Sequence, residues 1–426
     1  MSILSAVAQQ LSFEHIYSLT LVSKRLHRLI TPLLAQKVGL DTGASIPVIT
    51  GEAFSALEIW GRWLDFILPE EIHFVLSANT PQAIIQCVHV EAFFRPLQLS
   101  RAIDKVHIVL SASTCNIHTS AISAILDSGV RAFSAYQTDY SSHPSPTSGH
   151  FRLPNALSAL GVYPHLQVFE PKAPLLFGPV YLPLTLQIIN LSSITELLFP
   201  LGQLNLPVLP ELDKLLRHID VPGLRRLTME GHIHIPALVD FLNRHPALEN
   251  LHIGPRSVSR CATSQPYVPE RSGALRRLQI IRAPLTYLSL LVGTSSWATP
   301  SRLCQLDALP DVSLPASEFV LYVSTILQGV VRLKWLFALS ISFPQSIGQA
   351  QDVTFDLPGP CGDNDYASLQ TLTISMYGEE CSPIHEFSTG FLVCMQSSWE
   401  RQSDGFPLAR FERNGKSASY APTALH

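Results

Sequence analysis

Down the second half of the chain a six-residue pattern returns, with apolar side chains at its first, fourth and sixth positions. It reads Leu224-Arg-Arg-Leu227-Thr-Met229, Leu248-Glu-Asn-Leu251-His-Ile253, Leu275-Arg-Arg-Leu278-Gln-Ile280, Leu336-Phe-Ala-Leu339-Ser-Ile341 and Leu369-Gln-Thr-Leu372-Thr-Ile374. Weaker copies begin at Val130, Leu166, Leu186, Leu303 and Leu408. The apolar-polar-apolar ending has the period of a short strand with one buried face. Between copies lie helix-like segments, the cleanest running from Pro236 to Pro246, with others over Leu209 to Ile219, Pro315 to Leu327 and His385 to Arg401. Pro236 suits a first helical turn and Pro246 a stop.

Successive starts lie 24, 27, 28, 33 and 33 residues apart, from 224 through 248, 275, 303 and 336 to 369. The first three steps fall in the roughly 20–29 residue range of leucine-rich repeats. A strand followed by a helix cannot bury its apolar face alone, whereas stacked copies share one core. The fold class predicted is therefore α/β: an irregular leucine-rich-repeat solenoid, with parallel strands on one side and helices on the other. The longer steps imply insertions, and His232 and Arg256 stand where a standard repeat carries Asn or Cys.

Residues 3 to 34 have a different pattern, that of short amphipathic helices. Ser12 is placed to cap a helix with Glu14 in its first turn, and Ser23 to cap the next, where Leu26, Leu29, Ile30 and Leu33 recur at spacings of three and four. Pro32 is expected to end or kink that second helix at Thr31. The run Leu19-Thr-Leu21-Val22-Ser23-Lys24-Arg25-Leu26-His-Arg-Leu29, with Pro32-Leu33-Leu34 beyond it, resembles the second half of the F-box, the adaptor-binding module of cullin-type ubiquitin ligases. Family members open with Leu-Pro-x-Glu, where this chain has Met1-Ser2 before Ile3-Leu4. The phrase Phe241-Leu-Asn-Arg-His245-Pro246-Ala-Leu248-Glu-Asn-Leu251-His-Ile253 is similar to wording in leucine-rich-repeat F-box proteins of mushroom-forming fungi.

These patterns together divide the chain into an F-box-like helical module (1–38), a helical cap or connector around Trp60 and Trp63 (39–100), a leucine-rich-repeat-like solenoid (101–413) and a loose tail (414–426). The resemblance adds a function and implies a non-enzymatic substrate receptor. Leu19, Leu21, Val22, Ser23 and Leu26 would dock a Skp-type adaptor, with a cullin scaffold beyond it, and the solenoid would hold a target protein of unknown identity. The other reading is a plain protein-interaction scaffold in which the first forty or so residues only cap the solenoid.

Composition narrows the partners. At 426 residues with 15% charged and 46% hydrophobic side chains, the chain is too apolar to be disordered. Its net charge of -4 comes without charge blocks, so neither nucleic acid nor a membrane surface is expected as a partner. Seven cysteines without a Cys-x-x-Cys pair fit reduced intracellular thiols, and the first residues lack a basic, apolar secretory leader. An intracellular location, cytoplasmic or nuclear, is the expectation. Ala173 to Thr195 is uncharged but holds Pro174, Pro179 and Pro183, which points to buried interior.

No phosphate-binding Gly-rich loop, nucleophile elbow or His-Glu-x-x-His occurs, so neither catalytic residue nor cofactor is assigned. The set Cys361, Asp363, Asp365, Glu379, Glu380, Cys381 and His385 lacks the close pairing of zinc ligands, and His232-Ile-His234 reads as ordinary strand residues. The remaining candidates are polar residues between the apolar positions of the repeats: Arg225, Arg226, Glu249, His252, Arg276 and Arg277. On stacked strands about 4.8 Å apart they would form a partner-binding ladder.

Overall fold

A computed structural model describes residues 7, 10–37, 46–61, 68–97, 103–111, 117–138, 162–178, 180–200, 215–230, 233, 235–254, 277–293, 302–309, 316–330, 333, 336, 338–344, 371–377, 408–413 and 416–419. The fold is α/β, and the chain divides into two compact units, Met1–Leu198 and Phe199–His426.

In the first unit, α1 (Phe13–Thr20) and α2 (Lys24–Lys37) form a helical hairpin. Both predicted caps are made: the Ser12 hydroxyl accepts from the His15 amide, and Ser23 Oγ accepts from the Leu26 amide at 3.2 Å. Ile16, Ile30 and Leu34 form a small core, with Leu11, Leu19 and Leu26 packed at its edge. α2 does not stop at Thr31 but continues through Pro32 to Lys37. Burial of Ile30, Thr31, Leu34 and Ala35 on both sides of the proline outweighs the lost hydrogen bond.

Beyond the hairpin lies a parallel sheet, its strands pairing in chain order: β1 (Val48–Thr50), β2 (Glu71–Val75), β3 (Lys105–Leu110), β4 (Ala132–Gln137), β5 (Val168–Pro171) and β6 (Glu196–Pro200). Helices α3 (Ala56–Gly61), α4 (Thr80–Phe94), α5 (Thr119–Asp127) and α6 (Leu182–Leu191) lie between successive strands. α4 starts where the sequence provides for it, with the Asn79 side chain accepting from the Gln82 amide and Pro81 in the first turn. One face of the strands is apolar throughout: Ile72 and Phe74, Val106 and Ile108, Phe133 and Ala135, Phe169, and Leu197 are all fully buried. Register aligns Val106, Phe133, Phe169 and Leu197 in one row, and the rings of Phe133 and Phe169 stack at 6.1 Å.

Two expectations change here, and a third holds. Residues 39–100, read as a helical cap, carry β1 and β2, so the parallel sheet begins well before residue 101. The weak copy at Leu186 lies inside α6, and the strand is Ile194-Thr-Glu-Leu197-Leu-Phe199 instead. Helix and strand periods coincide over such a short run of apolar residues, and length alone does not separate them. The uncharged stretch from Ala173 to Thr195 holds a turn of 3₁₀ helix and α6, and no helix among the described residues is long and apolar enough to cross a membrane.

In the second unit, β7 (Arg226–Glu230), β8 (Asn250–Ile253), β9 (Ile280–Pro284), β10 (Gln305–Leu309), β11 (Ala338–Pro344), β12 (Thr371–Tyr377) and β13 (Leu408–Arg413) also pair parallel in chain order. β14 (Lys416–Ser419) pairs antiparallel with β13, within residues expected as a loose tail. α7 (Ile235–Arg244) lies between β7 and β8, α8 (Leu285–Gly293) between β9 and β10, and α9 (Ala316–Val330) between β10 and β11. Leu227, Leu251, Ile281, Leu306 and Leu339 make one buried row.

That row corrects one repeat frame. Leu251 is paired with Ile281, not Leu278, so the third copy is Leu278-Gln-Ile-Ile281-Arg-Ala283 and not the one starting at Leu275. Two overlapping matches exist here because Ile280 and Ile281 are adjacent. Burial selects the frame that hides Leu278, Ile281 and Ala283 and leaves Ile280 half-exposed. The weak copy at Leu408 is displaced as well, since Leu372 pairs with Ala409.

The Arg-His-Pro phrase after α7 has a structural job. His245 Nδ1 is 2.7 Å from the Phe241 carbonyl and Nε2 accepts from the Val221 amide at 3.1 Å, which fixes the neutral tautomer with the proton on Nδ1. Arg244 donates to the carbonyls of Ile219 and Leu216, both at 2.6 Å. Together they tie the end of α7 to the segment before β7.

Both kinds of buried histidine in this fold make stability measurable. His245→Ala strands the buried Val221 amide, and the unfolding midpoint in denaturant should fall by the equivalent of about 2 kcal/mol. His118 is fully buried with Nδ1 3.3 Å from Cys87 Sγ, and burial pushes its pKa down from 6.5 to about 4. The unfolded chain takes a proton near pH 6.5 and the folded chain does not until about pH 4, so stability present at neutral pH is lost between those values. The loss is on the order of 3 kcal/mol. Unfolding midpoints at pH 7 and pH 4 should diverge more for the wild type than for His118→Gln.

Candidate functional site

In strands β2 to β5 and β7 to β10 a central residue lies between two buried neighbours. In the first unit the series is His73, His107, Ser134 and Glu170, paired strand to strand. Glu71 precedes His73 by two residues, on the same face, and pairs with Lys105. The strand period therefore collects carboxylates, imidazoles, an amine and hydroxyls on one surface.

These groups form two linked clusters. Glu71 Oε1 lies 2.8 Å from His73 Nε2 and 3.2 Å from His107 Nε2, while its Oε2 lies 3.3 Å from Lys105 Nζ. The rings of His73 and His107 are 4.3 Å apart, and Tyr136 lies 5.8 Å beyond His107. Glu170 Oε2 accepts from Ser134 Oγ at 3.1 Å and Tyr136 OH at 3.4 Å, and pairs with Lys172 Nζ at 3.0 Å. The Lys172 ammonium also sits 5.1 Å from the centre of the Tyr136 ring.

This packing sets the electrostatics. Burial alone would raise Glu71, but hydrogen bonds from His73 and Lys105 and the nearby positive charge hold it below the usual carboxylate range. Burial, then the charges of His73 and Lys105, lower His107 against the pull of Glu71 and Glu170. Burial would lower Lys172, yet Glu170 and Tyr136 keep it above an ordinary lysine.

Sequence reasoning misses all of these residues, because the region of Glu71 and His73 reads as a helical cap. The signal is present in the alternation Glu71-Ile72-His73-Phe74 and Lys105-Val106-His107-Ile108.

In the second unit the outward central row is Thr228, His252, Arg282, Asp307 and Ser340. Asp307 Oδ2 accepts from Arg282 Nε at 2.9 Å and from Gln305 Nε2 at 3.0 Å. Burial, reinforced by Arg282 and opposed by Asp307, lowers the pKa of His252. Of the expected ladder residues, Arg226 and His252 do lie on strands facing outward; Arg225 and Glu249 immediately precede β7 and β8. Arg277 is exposed but precedes β9, and Arg276 lies outside the described residues. The frame correction replaces both arginines with Arg282 as the ladder member. Outside the described residues also lie His232, His234, Arg256, Trp63 and the set from Cys361 to His385.

The expected adaptor-docking residues divide into two kinds. Leu21 and Val22, in the turn between α1 and α2, are 64% and 69% exposed. Leu19 and Leu26 are half-buried against the hairpin core, and Ser23 is spent on the cap. Trp60, in the expected cap, is buried with its ring 5.6 Å from Phe93.

No known protein-family model matches the chain, and no curated protein matches it.

The ion pairs that hold Glu170 and Arg282 differ in the exposure of these two residues. Glu170, with its side chain 18% exposed and three donors, should cost about 2 kcal/mol when changed to Ala. Arg282→Ala removes an arginine that is 47% exposed and should cost less than about 1 kcal/mol. Chemical denaturation of both variants checks the order, and a larger loss at Arg282 would mean that burial is not what ranks these groups.

Proposed function

We propose that the chain is a non-enzymatic substrate receptor of a cullin-type ubiquitin ligase, acting inside the cell. Its helical hairpin would dock a Skp-type adaptor, and a leucine-rich-repeat-like solenoid would hold the target. The observation that carries this reading is the pair of apolar side chains Leu21 and Val22, open at the turn of a hairpin that has its own small core. Neighbouring exposed apolar side chains of this kind offer a docking contact for a partner. They sit within the run that resembles the F-box. Strands pairing in chain order, joined through helices and sharing rows of Leu and Ile, support the repeat reading.

The outward rows supply the target-binding surface in this proposal. Arg226 and Arg282 with His252 in the second unit offer donors suited to an acidic segment.

One observation favours the second reading, a scaffold without a ligase role: α2 buries Leu34 and Ala35 and contacts α3, so the hairpin is fastened to the helix after β1.

Co-purification separates the two. Full-length protein should recover the adaptor, and Leu21→Asp with Val22→Asp should lower recovery at least about tenfold. The thermal midpoint should hold, because neither side chain is buried. No adaptor with wild type, or equal recovery with the double variant, leaves the scaffold.

A further inference from the structure

We infer that Glu71, His73 and His107 form a binding site for a divalent late transition-metal ion of the zinc class. One donor atom from each of these three side chains, on one sheet face, lies within 4.8 Å of the others, and Glu71 Oε1 is 2.8 Å from His73 Nε2 and 3.2 Å from His107 Nε2. Their convergence is not a chance of flexible surface chains. Glu71 and His73 are two residues apart on β2, and His107 is the direct partner of His73 on β3, so backbone register sets all three. Two imidazoles and one carboxylate make a ligand set that suits zinc and its first-row neighbours, whereas calcium and magnesium demand oxygen. Zinc–ligand bonds of about 2.0–2.2 Å put neighbouring donors a little over 3 Å apart. The contacts at 2.8 Å and 3.2 Å need only a slight opening to admit an ion.

A second observation points to a ligand independently of this spacing. The His107 side chain is 8% exposed, and neither ring nitrogen makes a hydrogen bond within the described structure. Nε2 is near Glu71 Oε1 but off the line of a hydrogen bond. A buried imidazole nitrogen left without a partner is destabilising, and a metal ion would supply one for Nε2. Lys105 is the competitor: its ammonium, on a side chain 40% exposed, holds the other oxygen of Glu71 and can turn to solvent when an ion arrives.

The test uses the metal-stripped full-length chain and Zn²⁺ against a competing chromogenic chelator. Wild type should bind one ion at this site, with Kd on the order of micromolar. The chain has 16 histidines and 7 cysteines, so the site is read as the difference from the His73→Gln, His107→Gln double variant, which should lose that one equivalent. Co²⁺ in wild type should give a ligand-field spectrum without a thiolate charge-transfer band, absent in the double variant. Circular dichroism establishes that the variant is folded. Lys105→Gln guards against a variant that does not fold: it leaves all three ligands and should tighten Zn²⁺ binding by roughly threefold or more, through loss of a neighbouring positive charge. Equal stoichiometry and affinity in wild type and double variant overturn the site. So does unchanged or weakened binding in Lys105→Gln, or a cobalt spectrum dominated by thiolate.

Discussion

Strand register is the constraint on which the rest depends. A parallel strand of four to seven residues has no stability alone, and it persists because its two inward side chains continue rows laid down by its neighbours. Val106, Phe133, Phe169 and Leu197 do this in the first unit; Leu227, Leu251, Ile281, Leu306 and Leu339 do it in the second. Helices between strands then need only cover the row. This explains why α6, with seven of its ten residues buried, and α7, with one strongly apolar face, both serve as covering helices between strands.

The second unit is legible in the sequence because its signal is strong and local. Leucine at the first and fourth positions and isoleucine or methionine at the sixth leave little choice of face, and Pro236 and Pro246 mark out α7. Where two apolar residues adjoin, as at Ile280 and Ile281, the sequence supports two frames and only packing against β8 decides. The first unit is harder to read. Its inward positions are held by Ile, Phe and Val as often as by Leu, so the strands at Ile72 and Val106 share the geometry of the repeat without its lettering. Missing those strands means missing the candidate site, because Glu71, His73 and His107 are adjacent only through the pairing of β2 with β3. Helix capping by Ser12 and Ser23 is readable from two residues each, while the passage of α2 through Pro32 is not, since it depends on what Ile30 and Leu34 bury.

Histidine recurs with separate purposes in this chain. His245 is consumed by backbone: each ring nitrogen has a main-chain partner, and the ring stacks on Phe241 at 4.0 Å. Such a residue holds a helix end and has no nitrogen left for a ligand. His118 is packed beside Cys87, whose thiol burial pushes up to about 12, so neither is ionised at neutral pH or suited to thiolate chemistry. His107 resembles both in burial but differs in having its nitrogens unspent. Burial alone therefore does not distinguish a structural histidine from one available to a ligand, whereas the hydrogen bonds of its two nitrogens do.

Strand position decides how firmly an outward side chain is held. A central outward residue such as His107 between Val106 and Ile108, or Arg282 between Ile281 and Ala283, is flanked by side chains locked in the core. Its backbone can neither slide nor rotate without exposing an apolar row, so its side chain starts from a fixed point about 4.8 Å from the next strand. Residues just before a strand, such as Arg225, Glu249 and Arg277, lack one of those two anchors. Substitution at a central position thus changes surface chemistry while the rows beneath keep the register. That separation lets one repeated scaffold carry a Glu-His-His cluster on one pair of strands and an Arg-Asp pair on another.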